Sequence, residues 1–228
     1  MKGTIQPLPG TPLPLGVQLT PQGINFALFS RHADSVALAI TLPGQHDQQP
    51  EMFPLDPAVH KTGDVWHILL QGAPPGLRYG YRIIGPNAPQ KSGHFYNGTN
   101  ILLDPYARAL VSGKWGEERP WLGSEPCCLI DHEQYDWEGD RPLKTPIQDT
   151  IIYELHVRGF TRHASAQVAH PGTFRGLIEK IDYLRKLGIT AIELLPVTEF
   201  NENEALFTNP KTGELLKNYW GSSPLLFG

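Results

Sequence analysis

Glu154 and His156 stand two residues apart in the run YELHV, and Glu193 sits in a second apolar run, ITAIELLPV. If both runs are strands, residues two apart share a face, so the carboxylate and the imidazole lie side by side and Glu193 can meet them. Such a set could move protons as general acid and base. It could equally form a polar layer between strands, where buried charges persist by pairing with one another. Three more carboxylates, Glu199, Glu202 and Glu204, crowd the tract EFNENE just after the second run, and as loop charges they are expected to be solvated. Spacing alone gives no acid in this chain a catalytic role. The adjacent thiols Cys127 and Cys128 suit neither a disulfide framework nor a spaced zinc site, and read as plain buried or half-buried cysteines.

The elements that would position these side chains are a strand, a helix and a second strand. Thr150 to Val157 is β-branched and aromatic. Phe174, Leu177, Ile178, Ile181, Leu184 and Leu187 recur at spacings of three and four and form one stripe of a single helix. Thr173 supplies an N-cap and Gly188 a C-cap, and Asp182 can pair with Lys186 on the exposed side. Thr190 to Val197 then reads as a continuous buried strand, which a right-handed crossover sets parallel to the first. This βαβ unit is what a (β/α)8 TIM barrel repeats, and barrel enzymes collect their active sites at the C-terminal ends of the strands. Residues 149 to 228 fall far short of the roughly 250 of a closed barrel, so the expectation is an incomplete barrel holding only the start of a site.

Upstream, residues 11 to about 110 alternate apolar and polar positions between Gly, Pro and Asp clusters, the pattern of an immunoglobulin-like β-sandwich. The predicted inward sets are Ile24, Phe26 and Leu28; Val36, Leu38 and Ile40; Trp66, Ile68 and Leu70; and Tyr79, Tyr81 and Ile83. Proline and glycine at 21 to 23 and 74 to 76 suit turns. Residues 111 to 148 show neither period and are read as an ordered connector, in which Trp115, Trp121, Tyr135 and Trp137 pack the sandwich against the next domain. The expected domains are therefore 1–110, 111–148 and 149–228.

With a formal net charge of −4 and no block of Lys or Arg, the 228-residue chain does not resemble a nucleic-acid binder. No apolar run approaches the roughly 18 residues of a membrane span, and the first residues are broken by Pro and Gly where a signal peptide needs an apolar core. A cytoplasmic protein is expected, with no membrane partner. No loop of oxygen ligands presents itself for a metal, and no cofactor is implied.

Several motifs in order carry a family resemblance. YELHVRGFTRH, PGTFRGLIEKIDYLRKLGITAIELLPVTEFNENE and NYWG resemble the glycogen debranching enzymes and isoamylases of the α-amylase superfamily, glycoside hydrolase family 13. Upstream, PLPLGVQLTPQGINFALFSRHADSVAL, GDVWHILLQGAPPGLRYGYRIIGP and LLDPYARAL are similar to carbohydrate-binding module family 48 and its exit segment. The tract His156, Val157, Arg158, Gly159, Phe160 follows the debranching pattern, whereas branching enzymes and maltooligosyltrehalose hydrolases, the nearer alternatives, differ there. The resemblance implies hydrolysis of α-1,6 branch points in glycogen or a related α-glucan. It also implies that the catalytic aspartate, the glutamate acid/base and the stabilising aspartate follow barrel strands four, five and seven, so that no catalytic residue lies in these 228 residues.

By the same resemblance, Asn218, Tyr219 and Trp220 belong to the loop that builds the pocket beside the scissile bond. Glu154, His156 and Glu193 are candidates for support beneath that pocket. Where the family has a sugar-stacking tyrosine, this sequence has Ser222. That replacement near the last residue raises the expectation of a fragment, a frameshift or a pseudogene product. A non-catalytic glucan-binding module is the other alternative. Trp66, Tyr79, Tyr81 and Trp115 would be the stacking rings of such a module, although the first three fall on faces assigned to the core.

Overall fold

The computed structural model describes residues 4–45, 47–111, 113, 115–117, 123, 125–130 and 135–225. Trp121 of the connector lies outside them. The chain divides into two units, one within Met1–Glu133 and one spanning Gln134–Leu225.

The first unit is built from antiparallel strands. In chain order they are β1 (Gln6–Pro9), β2 (Gly16–Thr20), β3 (Gly23–Phe29), β4 (Ser35–Thr41), β5 (Glu51–Pro54), β6 (Lys61–Thr62), β7 (Val65–Gln71) and β8 (Arg78–Ile84). There follow β9 (Asn87–Ala88), the short helix α1 (Pro89–Ser92), β10 (His94–Phe95), β11 (Ala109–Leu110) and β12 (Cys128–Leu129). One sheet runs β1-β7-β3-β2 with β6 on β7, the other β11-β12-β8-β4-β5, and β9 pairs with β10 apart from both.

Register explains why the alternation was readable. Ile24, Phe26 and Leu28 of β3 stand opposite Leu70, Ile68 and Trp66 of β7. Val36, Leu38 and Ile40 of β4 stand opposite Ile83, Tyr81 and Tyr79 of β8. Each directly opposed pair shares a face, so four sequence patterns become two apolar surfaces, and all twelve side chains are buried. Two polar groups inside this core are paired: the Trp66 indole N–H donates to the Ser30 carbonyl at 3.1 Å, and the Tyr79 hydroxyl to Asp104 Oδ2 at 3.0 Å. Trp66, Tyr79 and Tyr81 are each 1% exposed, so their rings are core and offer no face to a glucan. Cys127 and Cys128 are free and buried.

In the second unit, β13 (Ile152–Leu155) and β14 (Ala191–Leu194) are parallel neighbours, with Glu154 opposite Glu193. Between them come α2 (Val157–Arg162), α3 (Phe174–Ile178) and α4 (Ile181–Lys186). The expected single helix is thus two. Its turn tightens at Lys180, whose N–H bonds the Leu177 carbonyl three residues back, while the Glu179 carboxylate reaches back to accept from the Ala169 and His170 N–H groups. Thr173 caps α3 by accepting from the Gly176 N–H at 3.2 Å, and Gly188 takes φ 86°, as the sequence predicts. Of the predicted stripe only Leu177 and Leu184 are buried, with Leu155, against Tyr153, Val157, Phe160 and Ile189. A sheet of two short strands covers no more of a helix than that. Asp182 approaches Arg185 at 3.9 Å.

Candidate substrate-binding site

The predicted first strand ends two residues early, and that shift relocates His156. It leaves β13 and becomes the N-cap of α2, its Nδ1 accepting the Gly159 N–H at 3.0 Å. His156 therefore does not join Glu154 and Glu193, which face each other across the two strands and are exposed. The expected trio is a pair of carboxylates without the imidazole, and the layer it was to form is not buried.

What His156 meets is the NYWG turn. Its Nε2 lies 2.9 Å from the Tyr219 carbonyl oxygen, and its ring stacks on the Tyr219 ring at 4.6 Å with 17° between planes. Trp220 stands edge-on to both rings, at 5.9 Å from His156 and 5.5 Å from Tyr219. Both imidazole nitrogens are engaged, so the ring holds a structure together and has no free nitrogen for proton transfer. Gly159 leaves room for the stack: a Cβ there would come within 2.6 Å of the Tyr219 hydroxyl oxygen.

The other side of the turn is fastened by the acidic tract. Asn218 donates its backbone N–H to the Glu202 carbonyl at 2.8 Å and its side-chain amide to Glu204 Oε1 at 2.6 Å. Its Oδ1 accepts the Gly221 N–H at 3.2 Å, which closes the turn, and Lys217 Nζ contacts Asn203 Oδ1. Gly221 has φ 67° and its Cα faces the Phe200 ring, where a Cβ would approach to 2.8 Å. Tyr219 and Trp220 remain 38% and 59% exposed.

The tract was expected to carry solvated charge, and for Glu202 that is corrected: it is 1% exposed. The segment turns sharply, with Asn201 Oδ1 accepting the Asn203 N–H at 3.0 Å, and this drives residue 202 inward. The Asn201 and Asn203 spacing was the available signal, since Asn side chains seed such turns. Two half-exposed rings set at right angles, beside an anchored amide, form a surface suited to the apolar C–H face of a sugar. Among the described residues no group of three or more His, Cys, Asp or Glu could hold a metal ion. No helix there is long and apolar enough to cross a membrane.

Comparison with known proteins places these motifs. Residues 14–107 match carbohydrate-binding module 48, the isoamylase N-terminal domain. Across 227 residues, 96% of the chain, identity to isoamylase 1, chloroplastic, of Arabidopsis thaliana is 41%. Across 232 residues, 95% of the chain, identity to the glycogen debranching enzyme of Yersinia enterocolitica is 42%. The chain belongs to the isoamylase and glycogen debranching enzyme family. It spans 29% and 33% of the length of these two relatives. Among solved structures, the family likeness extends to group B Streptococcus pullulanase SAP in complex with maltotetraose: 30% identity and a TM-score of 0.61 over 82% of this chain and 24% of that one. Family membership thus rests on both units, because these matches run well beyond the sandwich.

Proposed function

We propose that these residues are the sandwich, connector and opening βαβ unit of a (β/α)8 debranching hydrolase acting on α-1,6 branch points of glycogen or a related glucan. The proposed division is 1–110, 111–148 and 149–228. In this reading Asn218, Tyr219 and Trp220 face the glucan, His156 braces them, and Glu154 and Glu193 lie beneath as the polar layer that further strands would cover. One observation carries the reading. The NYWG turn is tied to His156, immediately past the C-terminal end of β13, and that is the end of the strands at which barrels bind their substrates.

Retaining hydrolysis needs two carboxyl groups about 5 to 5.5 Å apart. The family resemblance assigns them to later strands, so residues 1–228 taken alone bind glucan without turning it over. The solved relative held with maltotetraose supports that sugar as the probe. Calorimetric titration of the chain with maltotetraose is expected to saturate, and Trp220→Ala to weaken binding roughly tenfold, the upper end of what one aromatic contact supplies. Unchanged affinity in Trp220→Ala, or release of reducing ends from pullulan by the purified chain, would overturn the proposal.

A further inference from the structure

The two hydrogen bonds of His156 settle where its proton is. Gly159 N–H is a donor, so Nδ1, which accepts it at 3.0 Å, carries no hydrogen. The Tyr219 carbonyl oxygen can only accept, so Nε2, at 2.9 Å from it, carries one. The ring is neutral, in a single tautomer and orientation, and each bond selects the state that the other requires. Its plane is then fixed, and the plane is what Tyr219 stacks on at 17° and what Trp220 meets edge-on at 89°.

Two distant parts of the chain meet at this ring. On one side is the first turn of α2, and on the other a turn 63 residues later whose rings are exposed. The stretch between them runs through α3, α4 and β14. Asn218 fastens the backbone of the turn to residues 202 and 204, but those bonds do not themselves involve the Tyr219 and Trp220 rings.

We propose that His156, as the Nε2–H tautomer, is the positioning residue that sets the Tyr219 and Trp220 rings toward substrate, an inference that rests on reading those rings as sugar-facing. Gly159 serves the same end by leaving Tyr219 its place. A mere helix cap would need only an acceptor for the Gly159 N–H. A positioning residue must also donate to Tyr219 and present a flat ring.

Asparagine separates the two roles, because it is among the best N-cap residues yet has no ring and too short a reach for Tyr219. The experiment uses nitrogen-15 NMR on the whole chain, with His156 and Trp220 signals assigned by their loss in His156→Phe and Trp220→Phe. Expected in the unmodified chain are one protonated and one unprotonated ring nitrogen, the protonated one being Nε2. In His156→Asn the Gly159 amide resonance should hold its position while the Trp220 indole N–H moves toward that of a free indole. Maltotetraose affinity should fall in that variant roughly tenfold, as for loss of an aromatic contact.

An averaged or reversed tautomer overturns the inference, and so does a Trp220 indole signal unmoved in His156→Asn. If the unmodified chain binds no maltotetraose, the sugar reading fails instead. The tautomer and the indole shift, which need no ligand, then still decide whether His156 positions the rings.

Discussion

Replacing Asp104 with asparagine reveals how a carboxyl buried in the sandwich shapes stability against pH. Asp104 has no exposed surface. It accepts the Tyr106 N–H at 2.8 Å and the Tyr79 hydroxyl at 3.0 Å, one on each oxygen. Burial pushes its pKa above the ordinary aspartate value, and these two hydrogen bonds oppose the rise without cancelling it. Burial likewise raises Tyr79, Tyr81 and Cys128 around it, the last to about 12, so Asp104 is the group that titrates first. Between the ordinary and the raised value, the folded chain keeps the proton and the unfolded chain has lost it. The unfolded state then binds fewer protons, and stability falls as pH rises. The contribution is complete below the ordinary aspartate range and is lost as pH passes through the raised value, by up to about 1.4 kcal/mol per pH unit between the two. Asparagine has no proton to lose and keeps an acceptor for Tyr106. Urea unfolding at about pH 4, 6 and 8, read from the Ile40 and Ile83 methyl resonances, reports on this core. The stability of the unmodified chain minus that of Asp104→Asn is expected to decline with rising pH. Tyr79→Phe adds a check: removing the donor should cost about 0.5–1.5 kcal/mol when the carboxyl is neutral and about 1.5–3 kcal/mol when it is charged. A stability difference that is flat, or that grows with pH, refutes the reasoning.

Two further outcomes follow from burial and close approach. Cys127 and Cys128 are 2% and 0% exposed, and burial pushes their thiols up to about 11 and about 12. Iodoacetamide at about pH 8 should therefore leave both unmodified in the folded chain and alkylate both in urea, as read by intact mass. Gly159→Ala should displace Tyr219, whose hydroxyl oxygen lies 2.6 Å from the added Cβ position, and shift the Trp220 indole resonance while destabilising the chain by about 1–3 kcal/mol.

The sandwich was legible because its information is local and redundant. Period-two alternation in four segments names one face of each strand, and the observed register pairs those same faces. The helical segment was legible in its caps and in Leu177 and Leu184, but not in its break, which depends on the Glu179 side chain meeting backbone groups 9 and 10 residues earlier. His156 was misplaced for a related reason. Alternation extends YELHV smoothly as a strand, and nothing in the spacing tells that the imidazole caps the next helix. Glu202 defeated the rule that loop carboxylates are solvated, since the turn made by Asn201 and Asn203 decides which way it points. Family motifs located Asn218, Tyr219 and Trp220 without showing what holds them.

The two units accordingly fix their aromatic residues by different means. In the sandwich, rings such as Tyr79 are held by burial, with Phe26 edge-on at 5.2 Å, and any residue that fills the volume goes far toward preserving the arrangement. In the second unit the buried apolar cluster is Leu155, Leu177 and Leu184, and none of these reaches the NYWG turn. Tyr219 and Trp220 stay half-exposed and take their orientation from directed contacts, each of which contributes only about 0.5–1.5 kcal/mol. Packing tolerates substitution, whereas a hydrogen bond of fixed direction does not. A surface that presents ring faces to solvent cannot also be held by burying them, and the polar contacts at His156 and Asn218 resolve that conflict.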